Sequence, residues 1–522
     1  MFSLLHERLS KLVGRAGETV LQGGAMGIEK ESLRVTPQGA ISTRSHPDAL
    51  GSALTHPWIT TDFSEALLEL VTPPHGHSWE TLQFLCDLHQ FVYERIGDEM
   101  LWATSMPCAV SGEDSIPIAR YGASNSGRMK HIYRRGLSYR YGRVMQAIAG
   151  VHFNYSLPEP FWSVYQDTEG VQGSSRTFRD GAYFDLLRNN RRFGWIVLYL
   201  FGASPAVCKS FLGGRPTQLA EWDPWTVYGP DSTTLRMSDV GYRNANQAGI
   251  SVSMNNLEEY VAGLDQAIKT SFPPYEAIGV QGDGEWRQLN TSMLQIENEY
   301  YGFIRPKQPT RSGERPTRAM TSRGVAYVEI RSLDVSPLDP AGVSQNEMRF
   351  LEAFLILCLL SKSPPMDADE ARMSDLNHVT VASSGRTPNL SLTIAGRTQS
   401  LREWGLEIVE SLQPICALLD SGQPESSYQA SLELQMEKLL DPAATPSARL
   451  LDTMREREAS FFEFARDLSA DYRTYFLQLP PIARERLRTF EDAVEISRRR
   501  QREIEETDDV SFEEFLGRYY AA

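Results

Sequence analysis

Long apolar runs are missing from this 522-residue chain. The longest, "WIVLYLFG" at 195–202, falls well short of the roughly 20 residues a helix needs to cross a bilayer; it reads as the buried end of a core helix. Cysteine is scarce. Cys86, Cys108, Cys208, Cys358 and Cys416 are odd in number and far apart, with no CxxC pair and no zinc spacing, which argues against a disulfide-framed scaffold or a zinc module. Reduced thiols in a cytoplasmic protein are the expectation from that usage. Positive charge is in deficit, with 52 Lys and Arg against 67 Asp and Glu and a net charge of −15. That argues against a nucleic-acid partner, which needs an extensive basic surface. An anionic small molecule would need its cations, or metal ions, gathered locally. Neither a glycine-rich fingerprint between strand and helix nor a GxxxxGK[ST] loop is present, which speaks against a dinucleotide fold and a P-loop. The opening "MFSLLHERLSKLVGRAG" is amphipathic but has no long apolar core or clear cleavage site, so no signal peptide is expected.

The length calls for a large body plus an additional layer or lobe. Apolar residues recur at helical spacing over 78–96, 140–149, 182–201, 255–269 and 343–361, with strand-like alternation between them and no regular βαβ rhythm. An α+β body over residues 1–363 follows. After "SKSPPMDADEAR" at 361–372 aromatics thin out, and 400–420, 427–440, 446–469 and 481–506 read as charged helices. A mainly helical C-terminal region, 364–522, is therefore predicted. Its run "SRRRQREIEETDD" spaces acids after arginines as on a solvated helix face.

In "GIEKESLRV" at 27–35, glycines before and "TPQG" after favour a short strand. Strand pleating then aims Glu29 and Glu31 to one side. Two like charges on a partly buried face persist when something cationic neutralises them; an edge strand with both acids in water is the simpler alternative. Other segments repeat the pattern. In "GVAYVEIRSLDV", Val328 and Ile330 alternate with Tyr327, Glu329 and Arg331; in "GVHFNYSLP", Val151, Phe153 and Tyr155 alternate with His152 and Asn154. In "NTSMLQIENEYYGFIRP", Gln295, Glu297, Glu299 and Tyr301 share one strand parity, and "TDFSEALLELVTPP" carries Asp62 and, on a strand or a short helix, Glu69. Each could be an ordinary half-wet strand. Together they gather hard oxygen ligands of the kind that hold Mg²⁺ or Mn²⁺, fit to bind a nucleoside triphosphate. Cations come from "YGASNSGRMKHIYRRGLSYRYGR" at 121–143, read as a small-residue loop followed by Arg128, Lys130, Arg134 and Arg135. "TTLRMSDVGY" adds Arg236 and Tyr242.

The strings "GIEKESLRV", "HPDALGSALTHPWITTDFSEALLELVTPP", "SMPC", "YGASNSGRMKHIYRRGL", "GVHFNYSLP", "YLFGASPAVC", "LRMSDVGY", "LQIENEYYGFIRPK" and "VEIRSLDVSP", in order over about 20–360, closely resemble the proteobacterial glutamate–cysteine ligases. The resemblance implies a glutamine synthetase-like antiparallel sheet curved into a funnel with helices outside. It also implies an ATP-dependent union of L-glutamate and L-cysteine to γ-glutamylcysteine, the first step of glutathione synthesis, through a γ-glutamyl phosphate. By the same resemblance Glu29, Asp62, Glu69, His152 and Glu329, with Glu31 beside them, form the Mg²⁺ or Mn²⁺ shell. Arg236 and Arg331, with Glu329, act on the transferring phosphoryl group. Tyr133, Tyr242 and Tyr301 wall the cysteine pocket, and Asn154 is placed among the substrate-binding residues. A monomer without membrane or nucleic-acid partner is expected. The rival readings are another carboxylate–amine ligase on the same scaffold, or a non-catalytic binder of Mg·ATP.

Overall fold

Alternation between glycine-rich and turn-forming ends makes the first acidic run a strand, β1, Ala25–Val35, in the computed structural model, which describes residues 2–241, 250, 252–311, 313–394 and 396–521. Its partners are β2 (Ile59–Thr61), β3 (Leu67–Val71), β4 (Met100–Leu101), β5 (Val151–Ser156), β6 (Ile304–Lys307) and β7 (Tyr327–Leu333). The strand order is β6-β7-β5-β1-β3-β2, with β4 pairing the far end of β1. Every pairing is antiparallel. The short helix reading of the segment around Glu69 therefore gives way to strand β3.

One face of the sheet is apolar: Ile28, Phe153, Tyr155, Ile304, Val328 and Ile330 are buried, and α1 (Ser78–Tyr93) packs against β1. Behind it α3 (Ser175–Phe193) and α4 (Gln345–Leu360) pack on each other. "WIVLYLFG" is a buried helix, Trp195–Phe201, as the sequence indicated.

Toward the C-terminus α5 (Leu401–Asp420) and α6 (Ser427–Leu440) pack against α4. The span 446–469 is two helices rather than one, Pro446–Glu456 and α7 (Phe461–Gln478). Ser460 and Glu463 form a capping box that starts α7 afresh. α7 and α8 (Arg484–Glu506) lie on α1, so these helices cover the body directly. A hairpin, Ser391–Ile394 with Arg397–Ser400, interrupts them.

Three expectations fail. The helix read over 140–149 is misplaced: the helix, α2, runs over Asn125–Tyr141, begun by the Ser124 side chain accepting from Gly127 N–H, and carries the cations read as following a small-residue loop. Gly127 and Gly136 blurred its pattern, since glycine disfavours helix; Gly136 is required because a Cβ there would lie 2.1 Å from Gln295 Oε1. The strand read through 295–301 is a 3₁₀ turn, Glu297–Glu299. Its acids are structural: Glu299 pairs with Arg140 (2.9 Å) and Glu297 with Arg315 (2.8 Å). Finally, the thiols are not all free, because Cys108 and Cys208 form a disulfide. Their 100-residue separation carries no trace in sequence of Cα atoms 5.5 Å apart.

Candidate active site

On the face opposite the apolar one, the register aligns polar residues across five adjacent strands. Glu69 on β3 stands across from Glu31 on β1, Glu29 across from His152 on β5, Asn154 across from Glu329 on β7, and Glu329 across from Arg305 on β6. Strand pleating alone puts these side chains on one side. The β5–β7 ladder shifts register between Ile330 and Leu333, beside Arg331; such irregularities re-aim side chains.

The contacts are close. His152 Nδ1 lies 3.1 Å from Glu29 Oε2, and Asn154 Nδ2 donates to Glu29 Oε1 at 2.9 Å. Gly150 N–H donates to Glu31 Oε2 at 2.7 Å, and His152 Nε2 lies 3.9 Å from Glu31 Oε1. Arg331 Nη1 donates to Glu329 Oε2 at 3.0 Å and Lys307 Nζ to Glu329 Oε1 at 2.9 Å. Arg236 crosses over β7, donating to the Arg331 carbonyl at 3.0 Å. Gly150 makes that approach possible, because a Cβ there would sit 2.1 Å from Arg236 Nη2.

These charges set one another's protonation. Burial opposes ionisation of Glu329, but Lys307 and Arg331 outweigh it and hold its carboxyl well below the usual range. Burial and the neighbouring Asp62 push Glu31 up to about 8. Burial, with Glu29 and Asp62 adding repulsion, raises Glu69 well above an ordinary carboxyl. Burial and then Arg331 lower His152, which is therefore neutral and a competent ligand.

A cleft of about 130 Å³ opens beside this row, lined by Glu31, Asp62, His152, Arg236, Arg331, Tyr133 and Tyr301 among the expected residues. Glu29, Glu69, Asn154 and Glu329 belong to the same sheet row but do not line that cleft. Tyr242 lies outside the described residues. Of the four cations expected from 121–143, Arg134 alone lines the cleft; Arg128 lies over Phe512, Lys130 over Tyr121, and Arg135 pairs with Glu285. Arg305, Lys307, Tyr141 and Gln146 were missed. The first two were recoverable, since "IRPK" alternates charged with apolar positions on strand β6.

Glu29, His152 and Glu329 offer ligand atoms that all lie within 4.8 Å of one another. Two buried atoms without a partner among the described residues adjoin them: Asn154 Oδ1, an acceptor, and Arg331 Nε, a donor. Carboxylate oxygens with a neutral imidazole suit Mg²⁺ or Mn²⁺, and the unused Arg331 N–H suits an anion. The residues present thus fit a divalent cation carrying a polyanion.

A carboxylate floor faced by guanidinium groups, set on an antiparallel sheet, defines an enzyme that works on anionic substrates. The family model described as glutamate-cysteine ligase matches residues 9–381. The glutamate–cysteine ligase of Pseudomonas putida is 46% identical over 522 residues, covering 100% of this chain and 99% of that one; that of Azotobacter vinelandii is 47% identical with the same coverage. The crystal structure of the Francisella tularensis glutamate–cysteine ligase in complex with AMP superposes with a TM-score of 0.90 at 36% identity, covering 96% of this chain and 98% of that one. A bifunctional glutathione synthetase from Pasteurella multocida shares the fold, with a TM-score of 0.72 at 24% identity over 91% of this chain and 55% of its own. The chain belongs to the glutamate–cysteine ligase family.

Proposed function

We propose that the chain joins the γ-carboxyl of L-glutamate to the amine of L-cysteine at the expense of ATP, giving γ-glutamylcysteine, ADP and phosphate, by way of a γ-glutamyl phosphate. A carboxylate is a poor acceptor for an amine, so it must first take the γ-phosphoryl group and so gain a leaving group. Both reactants are anions. Divalent ions supply the neutralisation that lets them meet, and Glu29, Glu31, Asp62, Glu69, His152 and Glu329 are the residues that would hold them. Arg331, through its unused Nε, and Arg236 orient the phosphoryl group, where a planar fork suits phosphate oxygens better than a point charge. Tyr133 and Tyr301 wall the place of the cysteine side chain, and Asn154, which orients Glu29 through its Nδ2, is assigned to substrate binding through its Oδ1.

The observation that carries this reading is the acid–imidazole–guanidinium row across five adjacent strands in a chain of this family. The sheet is read as the curved, glutamine synthetase-like funnel, residues 1–363 as the catalytic body and 364–522 as its helical cover. No helix among the described residues is long and apolar enough to cross a membrane; a monomer in the cytoplasm, where ATP is supplied, is proposed. The test is ADP release in Mg²⁺ with glutamate present and cysteine added, withheld or replaced by a panel of amines, with Glu329→Gln as control. Release that requires cysteine and vanishes in the control is expected. Release with another amine in preference to cysteine, or none with any, overturns the assignment.

A further inference from the structure

Both carboxylate oxygens of Glu329 are taken by side-chain cations, and the two are held differently. Arg331 extends from the same strand two residues on and reaches Oε2 at 3.0 Å. Lys307 comes from the neighbouring strand β6, opposite Tyr327, and reaches Oε1 at 2.9 Å. Among the described residues that carboxylate is the one hydrogen-bond partner of the Lys307 ammonium. The lysine side chain keeps 29% of its surface exposed while Glu329 keeps 0%, so a flexible stem runs from solvent to a buried charge. Oε1 is also the oxygen facing His152 Nδ1, 4.0 Å away, and it belongs to the residue trio whose ligand atoms gather within 4.8 Å. An ammonium ion and a divalent cation therefore want the same oxygen.

We propose that Lys307 is an exchangeable counter-ion: its ammonium holds Glu329 Oε1 while no divalent ion is bound and yields that oxygen when one arrives with a polyphosphate, then taking a phosphate oxygen itself. The phosphate half rests on the ligase reading above; the exchange concerns the metal ion alone. Lysine suits the part, being a compact charge on a four-carbon stem with three rotatable donors, where arginine would bring a rigid fork. The exchange lets the carboxylate floor persist without metal, since a buried unpaired acid is costly. It also couples the ligands. Metal alone must displace the ammonium for nothing in return, whereas metal with polyphosphate gives the ammonium a new anion, so each ligand strengthens the other.

Manganese binding to the nucleotide-free enzyme, read from the electron paramagnetic resonance of free Mn²⁺, tests this without any turnover. Lys307→Met is expected to bind Mn²⁺ about tenfold more tightly than wild type, as removal of a competing charge requires. A non-hydrolysable ATP analogue should tighten Mn²⁺ binding in wild type and do so much less in the variant. Equal or weaker Mn²⁺ binding by Lys307→Met overturns the proposal. Should that variant fail to fold, the wild-type enzyme suffices: Mn²⁺ should increase acylation of Lys307 by an amine-reactive ester, measured by peptide mass mapping, and labelling indifferent to Mn²⁺ overturns the exchange. A wild-type enzyme that formed no γ-glutamylcysteine would refute the ligase reading and leave the Mn²⁺ titration to stand or fall by itself.

Discussion

Glu31 faces Glu69 directly across the β1–β3 pairing, two acids in register on a buried sheet face. Opposed like charges weaken a strand pair, and without a divalent ion the pair is eased by protons: burial and then Asp62 raise Glu31, while burial, Glu29 and Asp62 raise Glu69. Glu69→Gln mimics the protonated acid. In EDTA its melting temperature should match wild type within about 2 °C. Wild type should melt higher on adding Mg²⁺, and the variant should lose most of that rise. Calorimetry with and without Mg²⁺ decides; a variant that melts about 5 °C lower in EDTA would make Glu69 a structural partner instead.

Arg331 offers Nη1 to Glu329 and keeps Nε buried without an acceptor among the described residues. Lysine at this position can hold Glu329 but has no second donor at a fixed angle. Arg331→Lys is therefore expected to lower kcat about 10²-fold or more while circular dichroism stays that of wild type. Steady-state kinetics with ATP varied would show it, and near-normal rates would leave Arg331 a salt-bridge partner only.

Tyr301 lines the cleft and its hydroxyl lies 3.3 Å from Met237 Sδ, the sulfur that Arg236 also meets at 3.2 Å. The ring thus forms wall near the arginine. Tyr301→Ala should raise the KM for cysteine about tenfold, the scale of a lost apolar contact, and change that for glutamate far less. Equal rises in the two would take Tyr301 out of the cysteine pocket.

The carboxylate row was legible in sequence because residues two apart on a strand share a face, so Glu29 with Glu31, His152 with Asn154, and Glu329 with Arg331 could be assigned together before any pairing was known. What sequence could not supply was the partner of each. Glu297 and Glu299 have the same local appearance as Glu329, yet they serve Arg315 and Arg140, because a 3₁₀ turn replaces the strand there. Lys307 is the converse, a strand residue whose role depends on a carboxylate 22 positions away. Helix α2 was hidden by glycines that tertiary contact demands, Gly136 making room for Gln295. The pairing of Cys108 with Cys208 is a tertiary fact with no local signature.

Glu352 on α4 joins the sheet to the C-terminal helices. Tyr155 of β5 donates to its Oε1 at 3.1 Å and Tyr428 of α6 to its Oε2 at 2.5 Å. Burial pushes this carboxyl from 4.5 up to about 7, against the two phenol hydrogen bonds that lower it. A folded value above the unfolded one means the native state binds the proton more tightly. The stabilisation is then fully present below about 4.5, shrinks as pH rises, and is lost on passing through about 7. Glu352→Gln cannot ionise, while its amide oxygen accepts from one tyrosine and its NH₂ donates to the other's oxygen. Denaturant unfolding should give the two proteins similar stability at about pH 5, and the variant an advantage on the order of 2–3 kcal/mol at about pH 8. An advantage that is absent or greater at the lower pH would mean that Glu352 is held ionised in the fold, with Tyr428 and Tyr155 donating to a charge.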